Sequence, residues 1–134
     1  MKLVDRTFNC NRERSRKIWN YLQEHDNGVT NFHFEISADL IEEADLEIMR
    51  KMRPGLIQLE IGVQSTHETT VREIRRTMNL AKLKDRVKQV KIMGNIHQHL
   101  DLIAGLPYED LPAFVRSFNE VFAMEPDQQQ LGYL

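Results

Sequence analysis

Residues 56–66, LIQLEIGVQST, decide the fold class because apolar and polar side chains alternate along the whole stretch. In an extended chain the odd-numbered positions share one side, which carries Ile57, Leu59, Ile61 and Val63. The even-numbered positions share the opposite side, which carries Gln58, Glu60, Gly62 and Gln64. The pattern predicts a strand with one buried face and one face lined by amides and a carboxylate.

The same rhythm of short strands and longer helices extends over the rest of the chain. Further strands are predicted near residues 2–5, 29–37, 95–105 and 128–134. Helix-period segments are predicted at residues 11–25, 41–52, 66–77, 80–93 and 110–124. Ser65 and Glu68 have the spacing of a capping box for the third helix, and Asp110 has the position of an N-cap for the fifth. Strands that are joined through helices in this way form a parallel sheet by right-handed crossovers.

Polar residues on neighbouring predicted strands favour a curved sheet over a flat one. A parallel sheet with helices on both faces has nearly continuous apolar strands, but here one strand alternates at His33 and Glu35 and another at His97, His99 and Asp101. The simplest fold is an α/β chain that forms an incomplete (β/α) barrel. It has a mostly parallel sheet of about five strands, helices on the outer face and a polar lumen. A two-layer α/β sheet with one wet face, or a structural network of polar side chains, would give the same alternation.

Composition limits the partners and cofactors that the chain is expected to have. The chain contains 18 basic and 20 acidic residues, with a formal net charge of −2, which gives no electrostatic reason to expect nucleic acid or an anionic membrane. No apolar stretch approaches the ~20 residues of a membrane span, and a cytoplasmic location is expected. Cys10 is the only cysteine, which excludes an intrachain disulfide and an iron–sulfur cluster held by this chain alone.

The residues alone leave three kinds of chemistry open. A metal site could use His97 and His99 with further ligands from neighbouring strands, namely His33, Glu35, Glu60 and Asp101. A nucleotide-type ligand could use the carboxylates and Gln64, although no glycine-rich phosphate motif is present. Nucleophilic catalysis has the least support, because there is no nucleophile elbow and Cys10 has no evident base partner.

Three segments taken together resemble the central strands of the radical S-adenosylmethionine enzymes: FHFEIS at 32–37, LEIGVQS at 59–65 and HLDLIAGLPYED at 99–110. The resemblance is to the branch with oxygen-independent coproporphyrinogen oxidase. EIGVQST and the terminal QLGYL are more similar to the cobalamin-binding enzymes of the anaerobic magnesium-protoporphyrin IX monomethyl ester cyclase type. The resemblance implies that S-adenosylmethionine is contacted by Glu35, Gln64, Arg76 and Asp101. It leaves His33, Glu60, His97 and His99 as substrate-side or structural residues.

The chain departs from the family pattern in two places. The cysteine motif C-x-x-x-C-x-x-C, which holds a four-iron, four-sulfur cluster in the family, is missing, and DRTFNCN at 5–11 replaces a glycine-rich turn. Residues 1–134 are therefore expected to be a partial barrel domain that lacks the N-terminal cluster-binding strand and is inactive alone. The parent is expected to be an oxidoreductase that cleaves S-adenosylmethionine reductively, with the cluster and, in the cobalamin-binding branch, cobalamin.

Two alternatives from other functional classes accompany this prediction. One is a metal-dependent (β/α) barrel hydrolase or lyase that uses His97 and His99. The other is a non-catalytic assembly module, in which open sheet edges pair two copies of the chain into a homo-oligomer. The expected partner is a small-molecule substrate, with no nucleic acid and no membrane.

Overall fold

The computed structural model describes residues 1–134, and a four-stranded parallel sheet is its central element. The strands are β1 Phe32–Ile36, β2 Ile57–Gln64, β3 His97–Ala104 and β4 Gln128–Tyr133, and they lie side by side in that order. This confirms the predicted α/β class and the parallel sheet. Each crossover contains at least one helix, as parallel pairing requires.

Five helices connect and cover the strands. They are α1 Arg12–Glu24, α2 Glu43–Arg50, α3 Glu68–Glu73, α4 Leu80–Met93 and α5 Leu111–Ala123. Their ends follow local capping chemistry: the Asn79 side chain accepts from the Lys82 N–H, and the Asp110 side chain accepts from the Ala113 N–H. None of the five combines the length and the apolar character that a bilayer crossing demands.

The predicted first strand at residues 2–5 is wrong as an independent strand. Lys2 forms only an isolated parallel bridge with His33. The Leu3 N–H donates to the His33 carbonyl at 3.0 Å, and the His33 N–H donates to the Met1 carbonyl at 2.7 Å. Val4 then leaves the sheet with 93% of its surface exposed. The sheet therefore has four strands and a short flanking segment on the β1 edge, where about five strands were expected.

The predicted capping box at Ser65 and Glu68 is also wrong. Helix α3 begins at Glu68 after His67 as its N-cap. The Ser65 hydroxyl instead accepts from the His67 N–H at 3.0 Å and donates to a distant carboxylate. The helix is shorter than expected because Arg75 adopts a left-handed φ of 55° soon after its end, which an α-helix cannot continue through.

The hydrophobic core lies on one face of the sheet only, which we call the core face. Three aromatic rings at the β1 end of this core pack together, with Phe34 4.4 Å from Phe8 and 6.0 Å from Trp19 between ring centroids. Side chains of α1, α2, α4 and α5 complete the cluster. The opposite face, which we call the polar face, carries the even-numbered side chains of β2 and is half-buried.

Candidate functional site

A polar cleft of about 120 Å³ lies on the polar face near the carboxyl ends of β1, β2 and β3. All four residues predicted to contact S-adenosylmethionine line it. The full set of lining residues is Arg6, Thr7, Glu35, Ile36, Ser37, Glu60, Gly62, Gln64, Arg76 and Asp101. Strand register explains the convergence, because Glu35 pairs with Glu60 on β2 and Asp101 pairs with Gly62. Their role in binding that cofactor stays a prediction.

Gly62 provides the space in which two of these side chains approach the sheet. A Cβ atom at this position would lie 2.9 Å from Nε2 of Gln64 and 3.5 Å from Nη2 of Arg76. Both side chains therefore rest against bare backbone, and a glycine within a strand is typical of such close approaches. Sequence reasoning missed Gly62 as a site residue, although a glycine between alternating β-branched residues is the signal that could have identified it.

The structure selects Arg76 from the three neighbouring arginines. After the left-handed Arg75, the Arg76 N–H donates to the Val71 carbonyl at 3.1 Å, and its side chain turns back towards the sheet. Nη2 of Arg76 donates to the Gly62 carbonyl, whereas Arg72 and Arg75 are exposed. Burial lowers the pKa of Arg76, and the charge of Asp39 opposes this effect. Its Nε atom is buried without a hydrogen-bond partner.

Gln64 contributes a second buried polar atom without a partner. Its Oε1 atom is buried and accepts no hydrogen bond. Since buried polar atoms are almost always hydrogen-bonded in folded proteins, an orphan donor and an orphan acceptor beside one cleft indicate a place for a polar ligand. Nε of Arg76 and Oε1 of Gln64 are suited to a group that both accepts and donates.

The two glutamates of the cleft are linked by one cation. Nζ of Lys2 lies 3.1 Å from Oε1 of Glu35 and 3.0 Å from Oε2 of Glu60, and Nε2 of His33 lies 2.7 Å from the same oxygen of Glu60. Burial raises the pKa of Glu60, but the hydrogen bond and charge of Lys2, together with Asp101 and His33, lower it overall. Glu60 thus belongs to an ion-pair network with Lys2 and Glu35, and His33 contacts the same carboxylate.

Asp101 has the strongest electrostatic perturbation in the cleft. Its pKa is raised to about 6, mainly by burial, whereas the charge of His99, whose Nε2 lies 3.0 Å from Oδ1 of Asp101, opposes the rise. The negative charges of Glu60 and Glu35 and a hydrogen bond with Glu60 contribute the rest of this rise. A carboxyl that titrates near neutrality inside a cleft is typical of functional sites, because the local environment favours exchange between its two protonation states.

The two histidines of β3 do not form the metal site of the alternative hydrolase or lyase hypothesis. His97 is exposed and pairs in register with Gln58, whereas His99 is only 7% exposed and contacts Asp101. No three histidine, cysteine, aspartate or glutamate side chains in the chain have the arrangement that could hold a metal ion. The metal-dependent hydrolase or lyase alternative therefore lacks a ligand set in this structure.

The segment that replaces the expected glycine-rich turn forms one wall of the cleft. Arg6 and Thr7 line it, and sequence reasoning missed both. Asn9 fixes this segment, since its Nδ2 donates to the Ser37 carbonyl at 2.9 Å and its Oδ1 accepts from the Ser37 N–H at 3.0 Å. Asn9 is only 2% exposed, so a buried side-chain amide attaches this segment to the end of β1.

Comparison with known sequences gives matches to one enzyme. No family model matches the chain. The oxygen-independent coproporphyrinogen III oxidase of Paracoccus denitrificans is 28% identical over 103 residues, which are 76% of this chain and 22% of the oxidase. The corresponding enzyme of Pseudomonas aeruginosa is 26% identical over 118 residues, which are 87% of this chain and 25% of the oxidase. The chain thus spans about a quarter of the length of these curated relatives.

Comparison with solved structures gives the fold. The radical S-adenosylmethionine methyltransferase TsrM of Kitasatospora setae, solved with cobalamin and a [4Fe-4S] cluster, superimposes with a TM-score of 0.81 at 10% identity. The match covers 98% of this chain and 27% of that protein. The coproporphyrinogen III oxidase of Escherichia coli, a radical S-adenosylmethionine enzyme, gives a TM-score of 0.74 at 21% identity over 92% of this chain and 28% of that protein.

The structural neighbours and the sequence relatives include the same kind of enzyme. Both matched structures are described as radical S-adenosylmethionine proteins, and one of them carries the same enzyme name as the two sequence relatives. The parallel four-stranded sheet with helices on its outer side is accordingly part of a (β/α) barrel. The chain therefore shares the fold of two radical S-adenosylmethionine enzymes and is similar in sequence to oxygen-independent coproporphyrinogen III oxidases.

Proposed function

We propose that the polar cleft binds the amino-acid end of S-adenosylmethionine, and that the whole protein is a radical S-adenosylmethionine enzyme. The observation that carries this proposal is the convergence of Glu35, Gln64, Arg76 and Asp101 from separate elements into a single cleft. Their chemistry supports it. Arginine suits a carboxylate, and carboxylates suit an ammonium group or ribose hydroxyls.

The distribution of charge in the cleft favours a zwitterionic ligand. Glu35, Glu60 and Asp101 supply negative charge on β1, β2 and β3, and Arg6 and Arg76 supply positive charge from two loops. The methionyl group carries an ammonium and a carboxylate on one carbon, so it presents both signs within a few ångströms. A ligand with only one kind of charge could contact side chains of only one sign, whereas a zwitterion can contact both.

The size of the cleft limits which part of the ligand it holds. At about 120 Å³ it is smaller than the ~300 Å³ at the lower end of pockets that enclose a drug-sized molecule. The cleft therefore suits the polar end of the cofactor, and the nucleoside would extend beyond it along the open polar face. Gly62 and Gln64 lie on β2, where the cofactor would approach the backbone.

The residues of this chain fit the cofactor but not its cluster. Three thiolates hold the cluster in this family, whereas Cys10 is the only cysteine here and is exposed. When bound, S-adenosylmethionine would supply the radical chemistry. This chain would hold and orient the charged end of the cofactor. The cluster ligands would come from residues outside this chain.

A finer assignment follows the sequence motifs. We infer an oxidoreductase similar to the anaerobic magnesium-protoporphyrin IX monomethyl ester cyclases, because the motifs EIGVQST and QLGYL resemble the sequences of that branch. Cobalamin as a second cofactor is part of this inference, supported by the fold likeness to TsrM.

Calorimetric titration of the purified chain with S-adenosylmethionine tests the binding proposal. We expect saturable binding that weakens at least tenfold in Arg76→Ala, because the carboxylate loses its cationic partner. Arg72→Ala is the matched control, since Arg72 is exposed and does not line the cleft. Equal affinity in the Arg76→Ala and Arg72→Ala variants, or no saturable heat in the unaltered chain, would reject the proposal.

A further inference from the structure

Gln64 has an unusual backbone conformation at the end of β2. Its φ is 68°, in the left-handed region that residues other than glycine rarely adopt. The Ser65 N–H donates to the Val63 carbonyl at 2.9 Å and closes a three-residue turn around Gln64. Positive-φ turns of this kind are strained and persist only where the surrounding contacts fix them.

Fully buried hydroxyl groups and one carboxylate supply those contacts. Ser65 and Ser117 are both 0% exposed. The Ser65 hydroxyl donates to Oε2 of Glu109, and the Ser117 hydroxyl donates to the same oxygen at 3.3 Å. The Thr66 N–H in turn donates to the Ser117 hydroxyl at 3.0 Å. We call Ser65, Ser117 and Glu109 the clamp.

The clamp joins three parts of the chain that are distant in sequence. Ser65 follows β2, Glu109 lies in the loop after β3, and Ser117 lies on α5. A further hydrogen bond joins the same two regions, because the Thr70 hydroxyl donates to the Pro107 carbonyl at 2.8 Å. The end of β2 is therefore fixed to the loop that follows Asp101 and β3.

Capping of α3 does not explain the clamp. The helix has His67 as its N-cap, the His67 side chain accepts no hydrogen bond from the backbone of the first turn, and Glu109 is not part of the helix. Oε1 of Glu109 is buried without a partner, so placing the carboxylate costs free energy that apolar packing at the same position would avoid. Such a cost is typical of residues that serve a site.

We propose that Ser65, Glu109 and Ser117 are positioning residues that hold Gln64 in its left-handed conformation, with its amide in the polar cleft. This rests on the proposed function, because Gln64 matters only if the cleft binds a ligand. The clamp fixes the backbone directly after Gln64. The side-chain amide of Gln64 then lies over Gly62, where its Nε2 atom would contact a Cβ atom added at that position. The clamp also fixes the loop after β3 relative to β2.

A double-mutant cycle separates positioning from plain stability. We expect Ser65→Ala and Glu109→Gln each to weaken binding of S-adenosylmethionine about tenfold in calorimetry. In a Gln64→Ala background, neither substitution should weaken binding further, although each should lower the free energy of unfolding as much as before. Ser15→Ala is the control, since Ser15 is 1% exposed and its hydroxyl donates to the Arg12 carbonyl in α1.

A spectroscopic measurement without ligand distinguishes failure of the clamp from failure of the proposed function. In the isotope-labelled chain, the backbone N–H proton of Gln64 should show a strong NOE to the α proton of the same residue, as a left-handed residue gives. That signal should weaken in Ser65→Ala and Glu109→Gln but not in Ser15→Ala. The clamp proposal would be overturned if Gln64 stayed left-handed in both clamp variants, or if the binding losses persisted in the Gln64→Ala background. Lack of binding by the unaltered chain would reject only the proposed function of the cleft.

Discussion

The two faces of β2 belong to the same eight residues and have opposite physical characters. On the core face, Ile57, Leu59, Ile61 and Val63 are all 0% exposed. On the polar face, Gln58, Glu60, Gly62 and Gln64 keep partial contact with solvent. Because side chains alternate along a strand, one short sequence builds both the centre of the hydrophobic core and the floor of the cleft.

The two faces differ in how completely their side chains are packed or hydrogen-bonded. The apolar side chains of the core face have close-packed neighbours, and their burial is a main source of folding free energy. The polar face holds orphan atoms at Gln64 and Arg76 and a raised pKa at Asp101. Proteins retain such costly arrangements mainly at functional sites, so we expect the core face to determine stability and the polar face to determine binding.

Leu59→Ala should give the largest loss of stability on this strand. Leu59 lies in the middle of β2 with no exposed surface, and removal of its side chain leaves a cavity between the sheet and the helices. We expect the free energy of unfolding to fall by ~3 kcal/mol, measured by urea denaturation. Gln58→Ala, the neighbouring change on the polar face, should cost less than ~0.5 kcal/mol.

Equal losses in these two variants would contradict the assigned roles of the two faces. They would mean that the polar face is packed as tightly as the core, and that the sheet is buried on both sides. Titration with S-adenosylmethionine is a second test, because Leu59→Ala should leave the affinity of the folded fraction unchanged.

Asp101→Asn should stabilise the chain above pH 6. A carboxyl whose pKa rises from 3.8 to about 6 on folding favours the folded state while it is protonated, and this advantage is lost as the pH rises through that range. An amide does not titrate, so the variant should avoid a loss on the order of 2 kcal/mol. Denaturation of both proteins at pH 4, 5, 6 and 7 measures the difference.

An opposite-signed control is available in Asp26. The hydrogen bond from Arg53 lowers the pKa of this carboxyl, so its stabilising contribution is present at neutral pH and is lost as the pH falls. Asp26→Asn should therefore destabilise the chain at pH 7, where Asp101→Asn stabilises it. If both variants change stability in the same direction, burial is not what shifts Asp101.

Local sequence patterns were sufficient for most of the fold and for part of the cleft. The alternation in 56–66 predicted β2, and Asp110 predicted the start of α5, because strand periodicity and capping depend on neighbouring residues. The family resemblance, by contrast, identified Glu35, Gln64, Arg76 and Asp101, and the structure brings these four together.

Contacts between distant segments explain the errors. Ser65 has the spacing of a cap, but a carboxylate 44 positions further along the chain binds its hydroxyl. Lys2 looks like the start of a strand, but only a single bridge to β1 forms, and the chain then leaves the sheet. Arg6 enters the cleft because Asn9 is buried against Ser37, a pairing that no local pattern shows.

Gly62→Ala should impair binding with little effect on stability. The added methyl group would lie 2.9 Å from Nε2 of Gln64, which is the end of a flexible side chain and can move away. We expect stability to change by less than ~1 kcal/mol, whereas displacement of the Gln64 amide weakens S-adenosylmethionine binding about tenfold, or ~1.4 kcal/mol. Gly28→Ala is unsuitable as a control because its φ is 79°, so Gly132→Ala, which meets its nearest atom at 3.8 Å, is used instead. Unchanged affinity in Gly62→Ala would show that Gln64 does not contact the ligand.

Lys2→Met should give the smallest change in stability and still alter the titration of the polar face. Lys2 contacts both Glu35 and Glu60, but half of its side chain is exposed, and exposed ion pairs contribute little. We expect a loss below ~0.5 kcal/mol, similar to that of Lys17→Met, which removes an exposed pair with Glu13 on α1. Lys2→Met should nevertheless raise the pKa of Glu60 in an NMR titration, because Lys2 is the main group that lowers it, whereas Lys17→Met should not. If the polar face serves binding, the titration of Glu60 should change while stability does not. A loss above ~1 kcal/mol would instead show that the ion-pair network stabilises the fold.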